Sequence, residues 1–352
     1  MEQLLIKNGT IFNGSEYVKK DVLFIDKQVA KIEENIVADT PRVFDATGML
    51  VLAGLIDTHM HMKNVTADIY GTDASATCFP HGVTCAVEAS ACFLDESFLE
   101  KLSVKNRVFV ANTYLNNTFD ISRFDYKRYG KHCIGLKVFT DIGASEMTDI
   151  TPLKQTCDYA KDHNLKVMVH TSNSAVPMME IVKTLNKGDI ITHAFHGGQN
   201  NASMDNFDCL LYAKEKGVIV DVGFAGYVHT NFKILKDAVS KNIYPDTLGT
   251  DVTRSSAFIR SGRYGMNYCM SIMRAMGMPQ EEIFKAVTVN SAKALDMQDE
   301  WGILDIGSTD ACVLSLTDEA FSMTDRFNNT VSDNKSYRAE LTVVNGDAVY
   351  RR

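Results

Sequence analysis

Between residues 51 and 251 the chain alternates short apolar runs with longer, helix-like segments, and this rhythm restricts the fold more than any other feature. Runs at residues 51–57, 82–88, 107–111, 134–139, 166–170, 190–194, 218–222 and 247–251 have the length and side-chain texture of buried strands. Amphipathic stretches at 148–162, 175–185 and 204–216 read as helices, with Gly188 and Gly217 just past two of them, where helices stop. Strands joined by helices run parallel, because each crossover returns the chain to the same end of the sheet. About eight such units predict an α/β fold closed into a (β/α)8 TIM barrel, which absorbs ~250 residues as one unit. A doubly wound open sheet is the competing architecture.

The two ends of the chain have a different texture. Leu4-Leu5-Ile6-Lys7 leads into Asn8-Gly9, a pair suited to a tight turn, then Thr10-Ile11-Phe12. Glu340-Leu341-Thr342-Val343-Val344, Asn345-Gly346 and Asp347-Ala348-Val349-Tyr350 repeat the pattern. Neither end alone has enough strands to bury a sheet face, so both are expected to pack together. The expected organisation is a small β-sandwich domain from residues 1–50 plus 305–352, around a barrel at 51–304.

Composition excludes several classes. Net charge is -8, from Lys+Arg 36 and Asp+Glu 44, with both signs dispersed and no basic block for nucleic acid. No apolar run approaches the ~18 residues of a membrane span, and Met1-Glu2-Gln3-Leu4-Leu5-Ile6-Lys7 does not read as a signal peptide. Eight cysteines (78, 85, 92, 133, 157, 209, 269 and 312) form no CxxC pair and read as reduced thiols of a cytoplasmic protein. A homo-oligomer is compatible with the sequence, but no interface is visible in it.

The nine histidines fall unevenly. His59 and His61 close the first predicted barrel strand in Gly54-Leu55-Ile56-Asp57-Thr58-His59-Met60-His61, two apart and so on one side. His170 ends a later strand, His193 the next, and Asp251 the last. C-terminal strand ends of a barrel converge on one mouth, so five ligands of the N/O type that zinc accepts arrive together. Each alone has a structural explanation; independent structural roles would not put all five at equivalent ends.

Lys137, in Ile134-Gly135-Leu136-Lys137-Val138-Phe139, lies within a strand that should be buried. An unpaired ammonium there is costly, and costlier beside two cations. The neutral amine can react with carbon dioxide to give a carbamate, N6-carboxylysine, whose two oxygens can bridge two metals. The alternative is a salt bridge to a barrel carboxylate such as Glu88.

These residues resemble the amidohydrolase superfamily over nearly the whole chain. Val51-Leu52-Ala53-Gly54-Leu55-Ile56-Asp57-Thr58-His59-Met60-His61 is similar to its opening strand, with Ala53 in place of the usual proline. Gly82-Val83-Thr84, Thr288-Val289-Asn290-Ser291-Ala292-Lys293-Ala294-Leu295 and Asp310-Ala311-Cys312-Val313-Leu314 resemble later landmarks. Gly135-Leu136-Lys137-Val138 is similar to the carboxylated-lysine strand of dihydroorotase-like amidohydrolase/deacetylase members. Val169-His170-Thr171-Ser172-Asn173 and the 188–197 segment are similar to their single-histidine strands. The resemblance implies two divalent ions, zinc the expected one. His59, His61 and Asp251 would hold the first and His170 and His193 the second, with Lys137 bridging. It also implies hydrolysis of an amide or ester carbonyl of a small, carboxylate-bearing acylated or cyclic substrate. A metal-bridging hydroxide would attack and Asp251 shuttle the proton.

Candidate substrate contacts are Arg254, as a carboxylate clamp, His196, and Asn112, Tyr114, Asn116 and Asn117 after the third strand. Val252-Thr253-Arg254 stands where many members carry a histidine. His81 should lie at the opposite face, while His132, His163 and His229 have no assignable partner. Two other functions compete: deamination of a nucleobase-like heterocycle, against which Lys137 argues, and a catalytically silent assembly scaffold.

Overall fold

A computed structural model describes residues 3–39, 41–62, 70–91, 94–111, 125–142, 147–225, 228–259 and 265–352. Its centre is a curled parallel sheet of seven strands: Leu55–Met60, Val83–Ala91, Lys105–Ala111, Cys133–Phe139, Lys166–His170, Ile190–Thr192 and Ile219–Val220, neighbours in chain order. The segment at 247–251 forms no strand. Isolated parallel bridges, Asp221 to Thr247 and Met60 to Val252, connect it to the last and first strands. The expected helices are present but shorter, as Thr151–Asp162, Met178–Thr184 and Asp208–Lys216. Gly217 caps the last of these in the left-handed region, whereas Gly188 lies beyond the end of its helix.

The expected strand at 51–57 is two strands. Leu50–Ala53 pairs with Thr10–Phe12 and Ala311–Thr317, whereas Leu55–Met60 pairs with Val83–Ala91. Gly54 marks the break, and a Cβ there would lie 2.0 Å from Thr84 Oγ1. Leu50–Ala53 belongs to a six-stranded sheet containing Thr10–Phe12, Tyr17–Lys19, Ala311–Thr317, Ser336–Val344 and Asp347–Arg351. Gln3–Lys7, Asp21–Ile25, Gln28–Glu33 and Arg42–Asp45 make a four-stranded sheet. Apolar residues of both, including Ile6, Phe24, Val51, Val313 and Leu341, share one core.

Inside the curled sheet, Ile56, Val87, Phe109, Met168 and Ile190 pack with Ala292, Leu295 and Met297. This plug fills the interior and leaves chemistry to the strand ends. Seven described cysteines are free, all buried except the half-buried Cys133. Among the described residues no helix is long and apolar enough to cross a membrane.

Candidate metal centre

The pleat decides which side chains face inward. In Cys133–Phe139, Leu136 and Val138 join the outer apolar cluster, so Lys137 between them points into the curled sheet, 1% exposed. Val167 and Val169 likewise face outward, turning Met168 and His170 inward. His193 and Asp251 lie just past the ordered pairing and adopt left-handed backbone, φ 60° and 49°. Non-glycine residues reach that region at a cost of about 1–3 kcal/mol, a strain found mostly at functional sites. The backbone also binds the last segment to the first: Asp251 N–H donates to His59 O, and His61 N–H to Val252 O.

Two groups of candidate ligand atoms result, each with its members within 4.8 Å of one another: His59, His61 and Asp251; and His170, His193 and His229. His61 Nε2 lies 2.9 Å from Asp251 Oδ1, His59 Nε2 3.3 Å from the same oxygen, and His193 Nε2 3.8 Å from Oδ2. Lys137 Nζ lies 3.5 Å from His59 Nε2. A cavity of about 240 Å³ is lined by these residues with Tyr70, Ser90 and Phe139. A larger one, about 1140 Å³, opens around Lys105, Arg107 and Trp301 near the N-terminal strand ends; neither histidine group lines it.

Hydrogen bonds on the far side of the rings set their tautomers. Thr192 Oγ1 donates to Asp221 Oδ2 at 2.7 Å, so it must accept from His59 Nδ1, 2.8 Å away. His193 Nδ1 donates to Gly223 O at 2.7 Å, and His61 Nδ1 lies 3.1 Å from Glu88 Oε1. Three imidazoles therefore carry Nδ1–H and present Nε2 lone pairs to the cavity, the form that ligates a cation. Among the described residues Asp251 Oδ1 and His170 Nε2 are buried without a hydrogen-bond partner, although His61 Nε2 is close to the former and Asp141 Oδ2 lies 3.5 Å from the latter. Facing lone pairs at these distances repel unless a proton or cation sits between them. The donor set fits divalent metal of the zinc type.

The titration behaviour shows where a proton takes the place of a cation. Burial lowers His61, but the carboxylates of Asp251 and Glu88 outweigh it and push its pKa up to about 9. Burial would raise Asp251, yet His59 and His61 hold it well below the usual carboxylate range. Burial, with Lys137 nearby, depresses His170, and burial with His229 depresses His193, which keeps both neutral. Lys137 is pushed down to about 8 by burial. Among the described residues no carboxylate comes within ion-pair reach of its Nζ; Met168 Sδ, at 3.3 Å, is the neighbour. Glu88 instead accepts from Met62 N and Ser90 N beside His61.

The six expected ligands thus share one cavity. Arg254 is exposed; its backbone N–H donates to Tyr70 O at 2.8 Å, next to the cavity wall. His196 is buried outside the cavity lining. Its N–H donates to His193 O, and its Nδ1 accepts from Gly198 N, so it braces the turn that carries His193. Asn112, Tyr114, Asn116 and Asn117 lie outside the described residues. His81 sits in the turn Phe79–His81, against Tyr268. His229 is the correction: it has partners after all, with ring centroids 4.2 Å from His193 and 4.8 Å from His170. No strand pattern precedes it, so its position in a loop gave no signal.

Comparison with known proteins bears on the family and the fold. A sequence profile described as "Amidohydrolase family" matches residues 50–349. A deacetylase of Agrobacterium fabrum is 26% identical over 339 residues, covering 89% of this chain and 81% of that protein. Crystal structures of a dihydroorotase and of an adenine deaminase superpose with TM-scores of 0.85 and 0.83, each at 22% identity. The first covers 100% of this chain and 98% of the other, and the second covers 100% of both. Likeness at this identity concerns the fold; substrate is a matter for the site.

Proposed function

The chain belongs to the amidohydrolase family and is a metal-dependent hydrolase; on that premise we propose that it cleaves an amide or ester carbonyl of a small acylated or cyclic substrate. His59, His61 and Asp251 would hold one divalent ion, His170 and His193 a second, with carboxylated Lys137 between them. The observation that carries this reading is the pair of ligand groups in one cavity, with Lys137 Nζ 3.5 Å from His59 Nε2. An unmodified lysine there adds positive charge beside two cations, whereas its carbamate adds the negative charge they need. Zinc is the ion the donor set favours.

When bound, such ions polarise a carbonyl oxygen and acidify a water. The chain's own groups do the rest. Asp251, held ionised by His59 and His61, accepts the proton of the attacking water and returns it to the leaving nitrogen or oxygen. Glu88 and Thr192 keep the Nε2 atoms of His61 and His59 aimed inward through the reaction. Arg254, joined to Tyr70 through its backbone, is the proposed clamp for a substrate carboxylate. The relative named deacetylase supports an acylated substrate.

At finer grain we read residues 51–304 as a (β/α)8 barrel and residues 1–50 plus 305–352 as a β-sandwich. The bridges to 247–251 and the core shared by the two outer sheets support this division.

The test is reconstitution with zinc and bicarbonate, metal analysis, and an activity screen of N-acyl amino acids, cyclic ureides, O-acyl hydroxy acids and nucleobases. Two ions per chain and turnover of an acylated or cyclic amide or ester are expected. Ammonia release from nucleobases would replace this reading with deamination. Protein that takes up no metal would support a silent scaffold.

A further inference from the structure

We propose that His229 supplies a third nitrogen to the cation held by His170 and His193, and that the C-terminal hairpin at 321–333 keeps it there. The inference rests on the two-ion reading above and goes beyond it in donor count and in what controls occupancy.

Three imidazoles meet at this point. Ring centroids are 4.4 Å apart for His170 and His193, 4.8 Å for His170 and His229, and 4.2 Å for His193 and His229. One nitrogen from each lies within 4.8 Å of the others. His229 Nδ1 is taken by Ser172 Oγ at 2.5 Å, which leaves Nε2 for a cation; among the described residues His170 Nε2 is buried without a hydrogen bond, with Asp141 Oδ2 3.5 Å away. Where the three rings turn lone pairs on one another, a shared cation satisfies all of them at once. Beside His170, His193 and the proposed Lys137 carbamate, His229 would be a fourth protein donor, which leaves that ion fewer positions for water than three would.

The tether lies in the sequence around His229. Arg326 Nη1 donates to Val228 O at 3.0 Å, on one side of the histidine. On the other, Thr230 bridges to His196, and Asn231 N–H donates to Phe195 O at 2.9 Å. Asp325, 4% exposed, accepts from Phe232 N at 2.7 Å, and Asn329 Nδ2 donates to Asn231 Oδ1 at 3.3 Å. These hairpin residues lie between strands Phe321–Thr324 and Thr330–Asp333, far along the chain from every ligand. Cation occupancy and hairpin docking are therefore linked, each favouring the other.

The test uses full-length metal-free protein titrated with Co(II) in bicarbonate buffer, read by bound metal and visible absorption. Wild type should bind two ions per chain. His229→Ala should keep the first and require more than ~10-fold higher free Co(II) for the second, whose absorption should change. Asp325→Ala touches no ligand yet should weaken the second ion in the same direction by a smaller factor. Ser172→Ala, which keeps the imidazole, should also weaken it. A His229→Ala protein that fills both sites like wild type overturns the proposal and leaves the two-ion reading standing. Unchanged Asp325→Ala overturns the tether. A wild type that binds a single ion overturns the two-ion reading, and this inference with it.

Discussion

Lys137→Met should stabilise the metal-free protein while abolishing its activity. Without metal or carbon dioxide, the Lys137 amine is buried with no carboxylate in reach among the described residues, and its pKa falls from 10.5 to about 8. At about 1.36 kcal/mol per pH unit, the ammonium form costs the fold about 3 kcal/mol at pH 7. The sign follows from the lowered folded value. The penalty is complete below the folded pKa and vanishes as the pH rises through the unfolded one. It should fall to about 2 kcal/mol at pH 9 and about 1 kcal/mol at pH 10. Methionine fills a similar volume beside Met168 and carries no charge, so repacking should return little of the gain. Urea unfolding of chelator-treated protein in carbon-dioxide-free buffer, followed by fluorescence of the single tryptophan, Trp301, measures the difference. A variant less stable than wild type at pH 7, or a difference independent of pH, would refute the reasoning. With metal and bicarbonate restored the order should reverse, because ligation then stabilises only the wild type.

Asp251→Asn should keep bound metal but lose about 10²- to 10⁴-fold in kcat, because it removes the proton carrier; near-normal kcat would sink the assigned role. Lys137→Ala should lose activity and regain part of it with added short carboxylic acids, which stand in for the carbamate; full activity without them would leave Lys137 a structural residue. Asp221→Ala should cost about 3–5 kcal/mol, since it strands donors from Thr192, Thr247 and Gly249 in the interior. Burial would raise the Asp221 pKa, but His59, Thr247 and Thr192 hold it below the usual range. That contribution is present above the ordinary 3.8 and is lost as pH falls through the lower folded value. The stability gap measured between pH 5 and 7 should therefore be constant and close only in stronger acid.

The parts of the fold legible in the sequence are those with a period. The alternation of Leu136, Lys137 and Val138, or of Val167, Met168 and Val169, states which side chains face in before any contact is known. The two-residue spacing of His59 and His61 does the same for the site. What could not be read depended on tertiary partners. Gly54 splits one apolar run into strands of two sheets because Thr84 approaches it, and no local pattern records that approach. The eighth strand looked like the others, yet the 247–251 segment is fixed by side chains: Thr250 N and Oγ1 donate to Asp57, and Gly249 N donates to Asp221. His229 was illegible for a related reason, because its position is set by a hairpin about a hundred residues later.

Those side-chain fixings tie the metal site to the closure of the sheet. Asp221 accepts from Thr58, Thr192, Thr247 and Gly249, and so gathers the first, sixth and last segments around one carboxylate. The same Thr192 hydroxyl fixes His59, and a Cβ on Gly249 would lie 2.5 Å from His59 Cβ. Asp57, whose pKa burial raises to about 6, binds Thr250, directly before Asp251. A residue that aims a ligand is thus also one that closes the sheet. Substitutions at Asp57, Thr192 or Asp221 should then lower metal affinity and metal-free stability together. Asp251→Asn should instead lower turnover with both largely kept, because its carboxylate faces the cavity and meets the His59, His61 and His193 rings rather than the backbone groups that close the sheet.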